Sequence, residues 1–147
     1  MLQIYGNLWN FHELAPVCVT TNGILKKNGE LVMGAGIALQ AKQYFRALPG
    51  KAGIAVEMYG NHCFYFMEER IFTFPTKHDW RDPSDITLIE RSCHELVQIT
   101  DNNNFHRVYL PRPGCANGQL EWEEVRDVIE PILDNRFTVV SLPGGIS

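Results

Sequence analysis

Short runs of β-branched and aromatic residues alternate along this chain with stretches whose apolar positions recur at helical spacing. The strand-like runs are Leu2 to Tyr5, Val17 to Thr21, Ile54 to Met58, Cys63 to Met67, Ile71 to Phe74, Val108 to Leu110 and Phe137 to Leu142, each bounded by Gly, Asn or Pro. Within them GIAVEMYGNHCFYFM reads as a hairpin, with Gly60 and Asn61 supplying the positive backbone angles of a tight turn. Three helical stripes stand between the strands: Ile37, Ala41, Tyr44, Phe45 and Leu48; Ile86, Ile89, Cys93, Leu96 and Val97; and Trp122, Val125, Ile129, Ile132 and Leu133. Asp82 is placed to cap the second helix, with Pro83 in its first turn. Pro131 interrupts the third and predicts a kink there. Strands alternating with helices predict an α/β fold, a three-layer α/β/α arrangement around a central mixed sheet. Ligand sites in such sheets gather at the loops leaving the carboxyl ends of the strands.

The composition narrows this picture. At 147 residues, 45% hydrophobic and 20% charged, the chain suits one domain over 1–147, without repeats or a low-complexity linker. A formal charge of −4 argues against a broad footprint on duplex nucleic acid, while leaving room for a small basic patch. Cys18, Cys63, Cys93 and Cys115 are widely spaced and contain no CxxC pair, which predicts free intracellular thiols. The five histidines show no ligand spacing, so neither a metal nor a cofactor is implied. The opening MLQIYGNLWNF is not a signal segment, and no run nears the roughly 18 apolar residues that span a bilayer. The expectation is a soluble, cytoplasmic protein without membrane contact.

Two glycine-bearing segments carry candidate chemistry. In VMGAGIALQAK, Gly34 and Gly36 precede a helix whose first amides and positive dipole end form an anion seat. A dinucleotide fingerprint fails here, because Leu39 stands at the third glycine position and KKNGELVM is not a buried strand. PRPGCANGQLEW follows the strand VYL and precedes the third helix, an apparent repeat of the same geometry. Together the two loops suit a clamp on a diphosphate. Cys115, between Gly114 and Ala116, has no obvious histidine partner and reads as a packing thiol.

FPTKHDW, Phe74 to Trp80, ends a strand with an amine, an imidazole, a carboxylate and a large aromatic ring. Taken in order with GNL at Gly6 to Leu8, TTN at Thr20 to Asn22, VMGAGIALQAK and PGCANGQLEW, it makes the chain resemble the macrodomain family of ADP-ribose-binding folds over nearly its whole length. The resemblance is nearest to the branch holding the DarG antitoxin and terminal ADP-ribose protein glycohydrolase. It implies adenine-side contacts at Asn7 and Leu8, with Asn7 standing where many macrodomains have aspartate. It implies phosphate loops at Met33, Gly34, Ala35, Gly36 and Ile37 and at Arg112, Gly114, Cys115, Ala116, Asn117, Gly118 and Gln119. Thr21, Thr76 and Leu142 fall on the same binding surface.

By the same resemblance Asn22 faces the distal ribose and Lys77 carries catalysis, attacking an anomeric carbon or polarising the bond that breaks. Attack requires a neutral amine, whereas an ordinary lysine has a pKa of about 10.4. His78, Arg81 and Arg112 are candidate cations for lowering it, and His78 with Asp79 for relaying a proton or orienting the amine. Trp80 could cover a ribose or base, but an aromatic after a strand more often finishes the core, and it reads as packing. Gly118 replaces the acid that the protein glycohydrolase has in its second loop, which turns the expectation from protein-linked ADP-ribose toward ADP-ribose on a DNA nucleobase. The implied partners are ADP-ribose or an ADP-ribosylated substrate, single-stranded DNA as its carrier, and a toxin ADP-ribosyltransferase. A non-catalytic ADP-ribose binder and an ADP-ribose-1″-phosphate phosphatase stay open as alternatives.

Overall fold

The computed structural model describes residues 1–143; the last four residues of the unit expected over 1–147 lie outside the described residues. Among the described residues one sheet runs in the order β1-β6-β5-β2-β4-β3. Its strands are β1 (Leu2–Tyr5), β2 (Val17–Thr21), β3 (Tyr65–Phe66), β4 (Ile71–Pro75), β5 (Val108–Leu110) and β6 (Phe137–Ser141). All neighbours pair in parallel except β3, which is antiparallel to β4, so the sheet is mixed as expected. Strand alternation sends Cys18, Phe72, Phe74, Leu110 and Val139 to one face, where they pack on α3 (Ile86–Asn102) and α4 (Trp122–Ile129). Val17, Val19, Ile71, Tyr109 and Val140 go to the other, against α1 (Gly36–Tyr44) and α2 (Leu48–Tyr59). Helices on both faces of the sheet make the three-layer α/β/α fold. No helix among the described residues is long and apolar enough to cross a membrane.

Several expected elements come out differently, each for a local reason. Ile54 to Met58 is not a strand but the second half of α2. The buried positions Leu48, Pro49, Ala52 and Gly53 follow helical spacing, leaving Ile54 and Met58 exposed. A Cβ on Gly53 would lie 1.9 Å from the Gly29 carbonyl oxygen, so the helix can rest directly on that turn only through a glycine. Gly60 does have a positive φ of 91°, but as the cap ending α2 rather than in a hairpin. The hairpin that forms is β3 with β4, and it shortens the Cys63 to Met67 strand to Tyr65–Phe66.

The other three differences concern helix ends. α1 stops at Tyr44, so Leu48 of its expected stripe opens α2 instead. The cap of α3 is Asp85, not Asp82: its carboxylate accepts from the Thr87 amide at 2.9 Å. The Ser84 amide donates to the Gly118 carbonyl at 3.0 Å and the Asp85 amide to that of Thr76 at 2.9 Å, which keeps the chain extended until Ile86. α4 ends at Ile129, ahead of Pro131, which stops the helix rather than kinking it.

Candidate active site

Residues following the carboxyl ends of the parallel strands surround a cavity of about 860 Å³. Gly6 to Leu8 come from the end of β1, Thr21 and Asn22 from β2, Thr76 and Lys77 from β4, Pro111 and Arg112 from β5, and Leu142 from β6. That volume is within the usual range for a small-molecule site. At the β1 end, Asn7 Oδ1 accepts from the Trp9 amide at 3.1 Å and caps a short 3-10 turn, Leu8–Phe11. Gln40, on α1, also lines this end and accepts from Trp9 Nε1 at 2.8 Å.

The two glycine loops form the middle of the cavity. Gly34, Ala35, Gly36 and Ile37 lead into α1, whose cap residue Ala35 offers no side-chain hydrogen bond, so the helix start presents bare amides. The second loop does not repeat this geometry. α4 begins only at Trp122, and the residues before it fold as consecutive turns closed by Leu120 N donating to Gly114 O at 2.9 Å. Gly114 and Gln119 take the positive φ angles these turns require, 79° and 67°. Gly118 is sealed: a Cβ there would lie 2.2 Å from Ser84 Oγ and 2.4 Å from Gly114 O. The backbone as it stands admits no acidic side chain at this position.

The β4 end carries Lys77, the residue expected to act on the substrate. Lys77 lines the cavity, and its Nζ donates to Asn117 O at 3.2 Å and Trp80 O at 3.4 Å. Its backbone is zipped to the Asn22 segment, with Lys77 N donating to Thr21 O at 3.4 Å and Gly23 N to His78 O at 3.1 Å. Asn61 adds a brace the sequence did not disclose: its Nδ2 donates to the Lys77 carbonyl at 3.0 Å. Asn22 is buried, donates to Val32 O at 3.0 Å and accepts from the Ile24 amide at 2.9 Å. A carboxamide has two N–H bonds and two acceptor sites, so one of each stays available to a ligand.

The neighbouring charges are directed elsewhere. His78 Nε2 lies 2.9 Å from Asp85 Oδ2, and this contact holds the Asp85 carboxyl below its ordinary range. Arg81 grips Asp79 through both carboxylate oxygens and lowers its pKa to about 2. The Arg112 guanidinium stands 4.9 Å from the Trp122 ring centroid. His78 and Asp79 are thus each held by a partner of their own in the loop around Lys77.

Most of the expected binding residues come together on this wall: Asn7, Leu8, Thr21, Asn22, Gly34 to Ile37, Thr76, Lys77, Arg112, Gly114, Ala116 to Gly118 and Leu142. Met33 does not; it is 1% exposed and packs in the core beside Leu31 and Ala38, because the chain turns inward before Gly34. Cys115 and Gln119 line a separate recess with Tyr5 and Trp122, since the turn at Gly114 points them away from the cavity. Burial raises the Cys115 pKa to about 11, keeping it a thiol at neutral pH. Trp80, expected in the packing, is 50% exposed and lines the cavity, as does Ser84, whose buried Oγ makes no hydrogen bond within the described residues. Among the described residues no three His, Cys, Asp or Glu side chains gather as around a metal ion.

No family model matches the chain. A curated DNA ADP-ribosyl glycohydrolase from Thermus aquaticus is 33% identical over 143 residues, 89% of this chain. The chain spans only 37% of the length of that relative. The solved macrodomain of Thermus aquaticus DarG is 30% identical with a TM-score of 0.75, and the match covers 97% of each chain. The macrodomain of Mycobacterium tuberculosis DarG is 26% identical with a TM-score of 0.77, over 95% of this chain and 97% of that one. With this fold, a cavity ringed by these strand ends and that likeness over nearly all of its length, the chain belongs to the macrodomain family, on the DarG branch.

Proposed function

We propose that the cavity holds ADP-ribose joined to a DNA nucleobase and that the chain, a cytoplasmic enzyme, hydrolyses the bond between them. The carrying observation is that Lys77 lines the same cavity as Asn22, with its Nζ held by two backbone carbonyls. Two carbonyl acceptors use two N–H bonds of a primary amine. In the neutral amine the remaining tetrahedral position is the lone pair, free to meet an anomeric carbon.

On this reading adenine lies toward Asn7 and Leu8, the diphosphate between the bare amides of α1 and the second loop, and the distal ribose against Asn22. The ε-amine forms a bond to the anomeric carbon as the carbon–nitrogen bond to the base breaks, and the base leaves with a proton. Water then adds to that carbon, ADP-ribose departs and the amine is restored. A modification that is removed has to be installed, so the counterpart is an ADP-ribosyltransferase acting on DNA, of the kind a toxin would be.

The sealed Gly118 favours a nucleobase over an ester, because no second-loop acid is present to assist an ester's departure. The same feature supports a second reading, a module that holds ADP-ribose without turning it over. The test is incubation with an ADP-ribosylated single-stranded oligonucleotide beside glutamate-linked ADP-ribose. Release of ADP-ribose from the oligonucleotide alone is expected. Release from glutamate alone overturns the nucleobase assignment, and binding without release from either identifies a reader.

A further inference from the structure

Trp80 stands apart from the rest of the cavity wall. Among the described residues that line the cavity it is the one aromatic side chain, it is half exposed, and its own carbonyl receives the Lys77 amine at 3.4 Å. The residue thus lines the cavity next to the amine, within the same short segment. The charges around it are also distinctive. Arg81 lies 5.6 Å from the Trp80 ring centroid, yet its guanidinium is held on Asp79, and His78 is held on Asp85. Asp82 adds a third carboxylate to this segment. The whole chain carries −4. An aromatic ring whose neighbouring Arg81 and His78 are already held by carboxylates suits the flat face of a base far better than a run of phosphates.

We propose that Trp80 is the stacking platform for the nucleobase that leaves, and that the strand flanking this base is not gripped through its phosphates. This rests on the nucleobase reading given above and deepens it: the enzyme recognises a modified nucleoside locally, so strand length and ionic strength matter little. A platform acts through its ring, while its backbone carbonyl keeps Lys77 in place whatever the side chain. Phenylalanine therefore substitutes for tryptophan and alanine does not.

The experiment measures kcat and KM of the full chain on an ADP-ribosylated single-stranded oligonucleotide for the native protein, Trp80→Ala and Trp80→Phe, from 50 to 200 mM salt. Loss of the stack is expected to raise KM at least about fivefold in Trp80→Ala, with Trp80→Phe recovering most of it. The dependence of log KM on log salt is expected to stay below about one, against about four for a protein neutralising roughly six phosphates of a single strand. Native KM in Trp80→Ala, or Trp80→Phe as impaired as Trp80→Ala, overturns the platform. A steep salt dependence overturns the absence of a phosphate grip. Calorimetry with ADP-ribose alone separates a general collapse: an equal loss of affinity in Trp80→Ala counts against a base-specific role. If the native protein releases nothing from the oligonucleotide, the functional reading itself falls and this inference with it; if the native protein is active and Trp80→Ala matches it, only the platform falls.

Discussion

The two glycine loops of the cavity share a composition and differ in construction. The first, through Gly34 and Gly36, runs straight into α1 and presents helix amides that no side chain caps. The second, from Arg112 to Gln119, is a series of turns that ends two residues before α4 rather than entering it directly, bolted to the segment before α3 by the Ser84–Gly118 hydrogen bond. A Cβ on Gly34 would meet nothing within 4 Å, which on the proposed reading leaves that space to the ligand. Gly118 is small because the protein already fills the space beside it. The absence of a side chain leaves open space in one loop and permits close packing in the other.

Alanine substitutions test that difference. Gly118→Ala forces a methyl into Ser84 Oγ and the Gly114 carbonyl, and an overpacked site of this kind costs about 1–3 kcal/mol. Its expected signature is a lower denaturation midpoint together with weaker ADP-ribose binding. Gly34→Ala places its methyl in open cavity, so its stability should stay within about 0.5 kcal/mol of native while ADP-ribose affinity falls. Equal melting behaviour of the two variants would remove the distinction.

Asn61→Ala probes the brace behind Lys77. It leaves the Lys77 carbonyl without its 3.0 Å donor, a loss of about 1 kcal/mol. Such a loss should appear as a roughly fivefold drop in kcat with little change in KM, because the substitution disturbs the placement of the amine and leaves the loops alone. A rise in KM with native kcat would place Asn61 in binding instead. The smallest effect concerns the Asp79–Arg81 pair. The Asp79 carboxyl is held at about 2 against an ordinary 3.8, so what the pair adds to stability is present above pH 3.8 and lost as pH falls toward 2. Arg81→Ala should return the Asp79 titration, followed by NMR, to the ordinary carboxylate range.

How far the sequence could be read follows from how local each signal is. β2, β4, β5 and β6 were legible because buried parallel strands read as continuous β-branched and aromatic runs between Gly, Asn and Pro. α2 was not: Ile54 and Val56 imitate a strand, and the glycine that identifies the helix does so through a contact with Gly29, distant in sequence. The cap of α3 was misplaced by one turn because the Gly118 carbonyl, far along the chain, holds Ser84 extended. At the site, Lys77, Asn22 and both loops were visible as motifs. Met33, Cys115 and Gln119 carry the same motifs but turn away from the cavity, and side-chain direction is set by φ angles and neighbouring turns that a motif does not encode. Asn61, Ser84 and Gln40 left no local signal, since their roles arise from partners elsewhere in the chain.

The central claim is that the Lys77 amine meets the anomeric carbon of bound ADP-ribose. It is tested most directly by Lys77→Ala on an ADP-ribosylated oligonucleotide, with release of ADP-ribose and affinity for free ADP-ribose measured on the same preparation. The account predicts release slowed by about 100-fold or more with affinity within about twofold of native. Release at the native rate would contradict it.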